Sequence, residues 1–402
     1  MKPIVRAGRM KPVHSDIRGP LFVEAMKRQK QGIDILKLNT GNPATFGFGL
    51  PDSIKNALME HMQDGVGYCD FKGMPQARQA ICDYETSKGI KGITPDDVFI
   101  GNGVSEVVSF ALTPLLNDGD EVLVPSPSYS LWGNSVYLED GKPVFYTCDE
   151  QANWYPDIQD IRSKITDKTK AIVIINPNNP TGVLYPKELL LEIIQIARES
   201  GLLIFADEIY DRLVMDGKQH ISLASLTEDV PVITLNGLSK SHCLCGYRCG
   251  WMVISGPREL TEDYRQGIIQ LTSLRLCANT MAQIVIPAAL DDMETPASMV
   301  RPGGRIYEQR EATVRELEKI DGLSFVKNDA AFYVFPKLDV KKFNITNDKQ
   351  FAHDLLDVTN ILLVPGSGFD WKDPDHFRIV MLPQADILSD AIRRMGTFLD
   401  GY

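Results

Sequence analysis

A lysine amine can condense with an aldehyde, and an arginine can hold a phosphate. Residues 236–251, Asn-Gly-Leu-Ser-Lys-Ser-His-Cys-Leu-Cys-Gly-Tyr-Arg-Cys-Gly-Trp, offer both within one short stretch. Lys240 follows the apolar run 232–235 and the turn residues Asn236 and Gly237, so it is expected in a polar loop just past a strand. Arg248 comes eight residues later, between glycines and ahead of a second apolar run at 251–254. Pyridoxal phosphate uses an amine and a phosphate anchor together. A surface lysine beside an unrelated salt-bridging arginine would read the same on this stretch alone, so residues elsewhere must decide.

Pyridoxal phosphate also needs an acid at its pyridine nitrogen, a flat partner for its ring, a phosphate cradle and donors to its ring oxygen. Each has a candidate here. Gly101-Asn102-Gly103-Val104-Ser105-Glu106 opens a helix, where N–H groups and the Ser105 hydroxyl form an anion site. The glycine string resembles half a dinucleotide fingerprint, but G-x-G-x-x-G is not completed. Pro125-Ser126-Pro127-Ser128-Tyr129 is an extended loop presenting a ring that could stack on a heterocycle. Asn176-Pro177-Asn178-Asn179-Pro180-Thr181-Gly182 is a proline-locked polar turn. Asp207-Glu208-Ile209-Tyr210 places a carboxylate at a buried strand end, with a phenol three residues on. Further along, Arg378 interrupts the otherwise apolar strand 376–380, and a buried arginine needs an anion, either a ligand or an internal ion pair. Gly41, before Asn42-Pro43, marks a tight turn where backbone could approach a ligand, or is a plain turn glycine.

The elements that must carry these residues follow from periodicity. Short, near-continuously apolar runs at 98–100, 121–124, 144–148, 171–175, 202–206, 232–235 and 251–254 alternate with helical patterns such as 105–116 and 187–200. Strands buried on both faces read this way, so the middle of the chain is expected to be an α/β domain with a mainly parallel seven-stranded sheet sandwiched by helices. Its site belongs at the C-terminal ends of the strands. From about residue 286 a helix (307–320) and strands (331–336, 361–364, 376–380) predict a smaller α+β domain, onto which the N-terminal segment packs. The expected division is 1–49, 50–285 and 286–402.

Bulk properties exclude several other functions. The chain has 402 residues and a net charge of −11, which argues against nucleic acid or an anionic membrane as a partner. No apolar run approaches the roughly 20 residues that span a bilayer, and the basic start has no apolar run after it, so a cytoplasmic protein is expected. Seven cysteines, an odd number, read as free thiols. Cys243, Cys245 and Cys249 cluster but lack a paired C-x-x-C knuckle, so no metal is expected.

Asn178-Asn179-Pro180-Thr181-Gly182, Asp207-x-x-Tyr210, Ser239-Lys240 with Arg248, and Arg378 together resemble the fold-type I, class I/II aminotransferases over nearly the whole chain. Within that family, Asp16-Ile17-Arg18-Gly19-Pro20, Gly41-Asn42-Pro43-Ala44, Gly67-Tyr68-Cys69-Asp70 and Asp375-His376-Phe377-Arg378 look most like the bacterial alanine (glutamate–pyruvate) aminotransferases. The resemblance implies pyridoxal phosphate held as a Schiff base on Lys240, which then acts as the base. It implies Asp207 at the pyridine nitrogen, with Asn179 and Tyr210 at the ring oxygen. Tyr129 would stack on the ring. Val104, Ser105, Glu106, Ser239 and Arg248 would hold the phosphate. Tyr68 would reach the phosphate of a neighbouring subunit, making a homodimer. Arg378, with Gly41 and Asn179, would take the substrate α-carboxylate. Arg18, or its rival Arg275, would read a distal carboxylate. The reaction implied is a ping-pong exchange, L-alanine + 2-oxoglutarate = pyruvate + L-glutamate. Other class I/II aminotransferases (aspartate, aromatic or branched-chain) and cysteine–sulfur β-lyases keep the same cofactor residues. A regulatory domain that only senses a metabolite would carry a DNA-binding domain ahead of it, and the first 40 residues are too short for one. Gly237 departs from the pattern: many relatives keep a Ser or Thr three residues before the lysine.

Overall fold

The computed structural model describes residues 2–402. A two-residue strand, β1 (Leu36–Lys37), precedes the main sheet. That sheet comprises β2 (Val98–Asn102), β3 (Glu121–Ser126), β4 (Lys142–Asp149), β5 (Tyr155–Pro156), β6 (Thr169–Ile175), β7 (Leu203–Asp207), β8 (Val232–Gly237) and β9 (Cys249–Ser255). Their spatial order is β2-β9-β8-β7-β6-β3-β4-β5. All seven expected strands are present. The eighth, β5, is a two-residue edge piece antiparallel to β4, too short to show any period in the sequence.

The pairing explains where a site can form. β8-β7, β7-β6, β6-β3 and β3-β4 are parallel. β9 runs antiparallel to both of its neighbours, β8 and β2. The C-terminal ends of β2, β3, β6, β7 and β8 therefore lie on one edge, and the N-terminal end of β9 lies on that edge too. Side chains alternate across the pleat. Ile172, Ile174 and Ile204 pack on one face with Leu190, Ile193, Ile194 and Ala197 of the helix Lys187–Ser200. Val173, Ile175, Phe205, Ile233 and Leu235 pack on the other with Val107, Val108 and Ala111 of the helix Val104–Leu112 and Ile268 of the helix Arg258–Arg275.

A separate core gathers Phe351, Leu355, Ile361, Phe377, Ile379, Leu388, Ile392 and Met395. Here the strands are shorter than expected: 331–336 contributes only Tyr333–Val334, and 361–364 splits into Ile361–Leu362 and Val364–Pro365. Tyr333–Val334 and Val364–Pro365 flank the strand Phe377–Val380, both antiparallel to it. β1 pairs in parallel with Ile361–Leu362, and Ala25 and Ile35 pack against Leu356 and Leu362. Among the described residues no single helix is long and apolar enough to cross a membrane.

Candidate active site

The helix N-terminus expected to take an anion lies where β2 and β9 meet the helix Val104–Leu112. The first N–H groups of a helix have no intrahelical acceptor and carry its positive dipole end. Gly103, at φ 83°, turns the chain into that helix. A Cβ on Gly103 would stand 2.3 Å from Arg248 Nη2, and one on Gly250 would stand 2.4 Å from Val104 N. Two glycines thus let the guanidinium and the start of β9 lie against the helix N-terminus. Arg248 Nη1 donates to Cys245 O at 3.0 Å, and no carboxylate among the described residues pairs with it. Ser105 is exposed in the first turn. The Glu106 side chain turns back: its carboxylate accepts from Asn102 N at 2.7 Å and pairs with Arg275 at 2.5 Å, and its own N–H donates to Gly103 O. The groups here that could take an anion are the Val104 N–H, the Ser105 hydroxyl and the Arg248 guanidinium, with the Glu106 carboxylate as a brace. Arg275, expected as a rival reader of a distal carboxylate, is committed to Glu106 and to the carbonyls of Phe71 and Ile100.

Gly237 has a steric cause. A side chain there would meet Cys249 O at 2.5 Å across the β8–β9 pair. No hydroxyl fits, and the half-buried Ser239 is the nearest one in sequence.

Lys240 sits in one helical turn, Leu238–Ser241, rather than an open loop. Its Nζ donates to Gly41 O at 2.9 Å and lies 5.8 Å from the Phe332 ring centroid. Burial pulls the ammonium down, but the Tyr333 phenol, the Cys245 thiol and the Tyr129 phenol outweigh it, and the amine ends above its ordinary value. Gly41 must be glycine, because a Cβ would stand 2.2 Å from Tyr333 Oη. Around Lys240 the three clustered thiols make separate contacts: Cys243 to Met299, Cys245 to the Ser239 carbonyl, and Cys249 buried within β9.

Asp207 ends β7, buried to 5% exposure. Trp132 Nε1 donates to its Oδ2 at 3.1 Å, and Ile209 N approaches its Oδ1 at 3.4 Å. Both donors are neutral, and among the described residues no cation lies in ion-pair contact with this carboxylate, Lys240 acting on it only from farther off. Burial accordingly pushes its pKa up to about 6. Tyr129 is half-buried in the loop after β3. The Tyr210 and Tyr333 hydroxyls share a hydrogen bond of 2.9 Å.

Arg378 shows the opposite imbalance. Its guanidinium is buried to 1% exposure, sandwiched between the Tyr333 and Phe369 rings at 4.6 Å each. Nη1 donates to Asn179 Oδ1 at 2.9 Å and Nη2 to Asn39 O, while Nε has no partner. No carboxylate pairs with it among the described residues, so the internal ion pair considered from sequence is not there. Arg18 is exposed and free of ion pairs, two residues past the Asp16 that His14 and Lys349 hold. Tyr68 is 84% exposed.

Sequence reasoning missed Trp132 and Tyr333. Both sit in apolar surroundings and read as core. Only their polar tips, which every buried Trp or Tyr must satisfy, could have marked them.

Over residues 33–392 the chain matches the family model for aminotransferase class I and II. It is 50% identical over 402 residues to the glutamate-pyruvate aminotransferase AlaA of Haemophilus influenzae, covering 100% of both chains. A crystal structure of an aminotransferase from Escherichia coli superposes with a TM-score of 0.98 at 47% identity, covering 100% of this chain and 99% of that one. The alanine aminotransferase of Pyrococcus furiosus gives 0.94 at 40% identity, covering 99% of this chain and 100% of its own.

Proposed function

The chain belongs to the aminotransferase class I and II family, and from that premise we propose that it is a pyridoxal-phosphate-dependent alanine transaminase, exchanging L-alanine + 2-oxoglutarate for pyruvate + L-glutamate. One observation carries the reading. Lys240 shares a sheet edge with Asp207, a buried acid with no cation in ion-pair range, and Arg378, a buried cation with no anion, meets that edge from the second core through Asn179. A protein does not leave such charges unmatched without a ligand to match them. A pyridinium suits the first and an α-carboxylate the second.

Pyridoxal phosphate, when bound, supplies the aldehyde for the amine exchange and the electron sink that acidifies the substrate Cα. The chain supplies the rest. Val104, Ser105 and Arg248 hold the phosphate. Asp207 keeps a proton on the ring nitrogen, because burial makes its negative charge costly and a cation beside it relieves that cost. Tyr129 covers a ring face, and Tyr210 and Asn179 donate to the ring oxygen. Arg378 grips the α-carboxylate through its planar fork, with Gly41 and Asn179 alongside. Lys240 Nζ, once free of the cofactor, takes the proton from the substrate Cα and returns it on the other side of the exchange.

The distal carboxylate of glutamate falls to Arg18, the arginine left free at the segment joining the two cores. Tyr68 completes the phosphate site of a second copy, so the working form is a homodimer. The division at residues 1–49, 50–285 and 286–402 places the amine in the large unit and the carboxylate clamp in the small one. Alanine as donor rests on the names of the full-length relatives.

The test is a half-reaction. Purified protein with pyridoxal phosphate should absorb at about 360–430 nm. L-Alanine without a keto acid should abolish that band and release one pyruvate per site and no ammonia. Catalytic ammonia would make the protein a lyase, and a protein that never gains the band would overturn the cofactor assignment.

A further inference from the structure

The segment Asp207–Asp211 has two faces. Asp207 and Tyr210 belong to the site just described, whereas Glu208 and Asp211, 2% and 9% exposed, point away from it into the protein. Buried carboxylates need a cation. One lysine answers both: Lys88 Nζ lies 2.9 Å from Glu208 Oε2, 3.1 Å from Asp211 Oδ2 and 2.7 Å from Glu85 Oε2. Lys88 caps the C-terminus of the helix Pro75–Ser87, where the helix dipole also favours a positive charge.

The contacts fan out from there. Glu208 Oε1 accepts from Ser222 Oγ at 2.9 Å and Leu223 N at 3.0 Å. Asp211 Oδ2 accepts from Tyr84 Oη at 2.6 Å and Asn236 Nδ2 at 2.8 Å. Asn236 Oδ1 in turn accepts from Gly237 N at 2.7 Å, three residues before Lys240. The remaining charged neighbours are Arg212, stacked 4.3 Å from the Tyr84 ring centroid, and His220, 4.0 Å from Glu208. Glu208, Asp211 and His220 are grouped as metal ligands could be, but the Lys88 ammonium already lies within 3.1 Å of both carboxylates. The cation of this cluster is the lysine.

We propose that Lys88 is a positioning residue for the reaction: its ammonium fixes the Asp207–Asp211 segment against the end of β8, and so sets Asp207 and Tyr210 in register with Lys240. The proposal rests on the reading that Asp207 and Tyr210 contact the cofactor. Lys88 itself touches neither cofactor nor substrate.

Lys88→Met and Lys88→Arg test it against wild type. In the apoprotein, Lys88→Met should speed hydrogen exchange at residues 207–213 while the rest of the sheet keeps its protection. It should weaken pyridoxal phosphate binding, read by absorbance on reconstitution, by about tenfold. It should also move the pH at which the bound cofactor's visible band changes, and lower kcat while leaving KM for the amino donor within about twofold. Lys88→Arg should restore all four. If Lys88→Met does not fold, the double variant Lys88→Met with Glu208→Gln removes one acid with the base and gives the same readouts. Wild-type exchange, cofactor affinity and band pH in a folded variant would overturn the proposal. A wild-type protein that takes no cofactor would instead overturn the proposed function, while hydrogen exchange at 207–213 would still decide the part played by Lys88.

Discussion

Asp207→Asn removes a charge from a buried site and little else. In the apoprotein the Asp207 carboxyl is raised from 3.8 to about 6, chiefly by burial. The folded chain therefore holds this proton more tightly than the unfolded chain does. The resulting stabilisation is complete below about pH 3.8 and is lost as the pH rises through 6. The gap corresponds to about 3 kcal/mol at about 1.4 kcal/mol per pH unit. At pH 4.5 roughly 1 kcal/mol of that is already gone, so about 2 kcal/mol remains to be lost by pH 8. The assay is urea unfolding of the apo forms of wild type and Asp207→Asn at the two pH values. Wild type should lose about 2 kcal/mol relative to the variant on going from pH 4.5 to 8. Saturating pyridoxal phosphate should reverse the ranking at pH 8, because a bound cation matches the wild-type charge and finds nothing to match in the variant. Parallel stability curves for the two apo forms would refute the claim that this carboxylate waits for a counter-charge.

Arg378→Lys should lower kcat/KM for every amino donor alike by on the order of a hundredfold or more, since a lysine cannot reproduce the fork held between Tyr333 and Phe369; steady-state kinetics on alanine and glutamate check this. Gly103→Ala should weaken pyridoxal phosphate binding measurably while the chain stays folded, because the new methyl group must displace Arg248 Nη2 and the φ of 83° is strained for alanine; titration of the apoprotein with the cofactor reads it. His14, raised to about 9 by hydrogen bonds to Asp16 and Asp370, ties the N-terminal segment to the rest of the chain. Its contribution is full below about pH 6.5 and lost as the pH rises through 9. Limited proteolysis of residues 2–18 should accelerate above that pH in wild type and lose this dependence in His14→Gln.

The strand framework was legible because parallel strands buried on both faces leave unbroken apolar runs, and all seven runs became strands. β5 was not, since two residues carry no period. The segments near 333 and 364 form shorter strands than their apolar runs predict. They supply apolar residues to the cores without continuous pairing, and composition cannot tell the two apart. At the site, Lys240, Asp207, Arg248 and Arg378 stood out as charges set in turns or apolar runs. Trp132 and Tyr333 did not, because an aromatic ring in an apolar run looks the same whether its polar tip meets a carboxylate or nothing. Arg275 could not be told from Arg18 by sequence, as only the fold shows which arginine Glu106 has already taken. Lys88 was invisible for the same reason: Glu85 is near it in sequence, but Glu208 and Asp211 lie about 120 residues on, and only the fold brings them to it.

The reversal of β9 sets a rule for change in this protein. Lys240 and Arg248 stand at the two feet of one hairpin, joined by the seven residues 241–247. The Lys240 amine and the Arg248 guanidinium are thus spaced by the arc of that connection. Its composition can change only where it is not buried, since Ser241, His242 and Leu244 are enclosed while Cys243 and Cys245 are partly exposed. Its length is not free, because adding or deleting one residue would shift the guanidinium along the sheet edge while the lysine stayed put. Random mutagenesis of the connection should therefore yield active substitutions at its unburied positions and no active insertions or deletions.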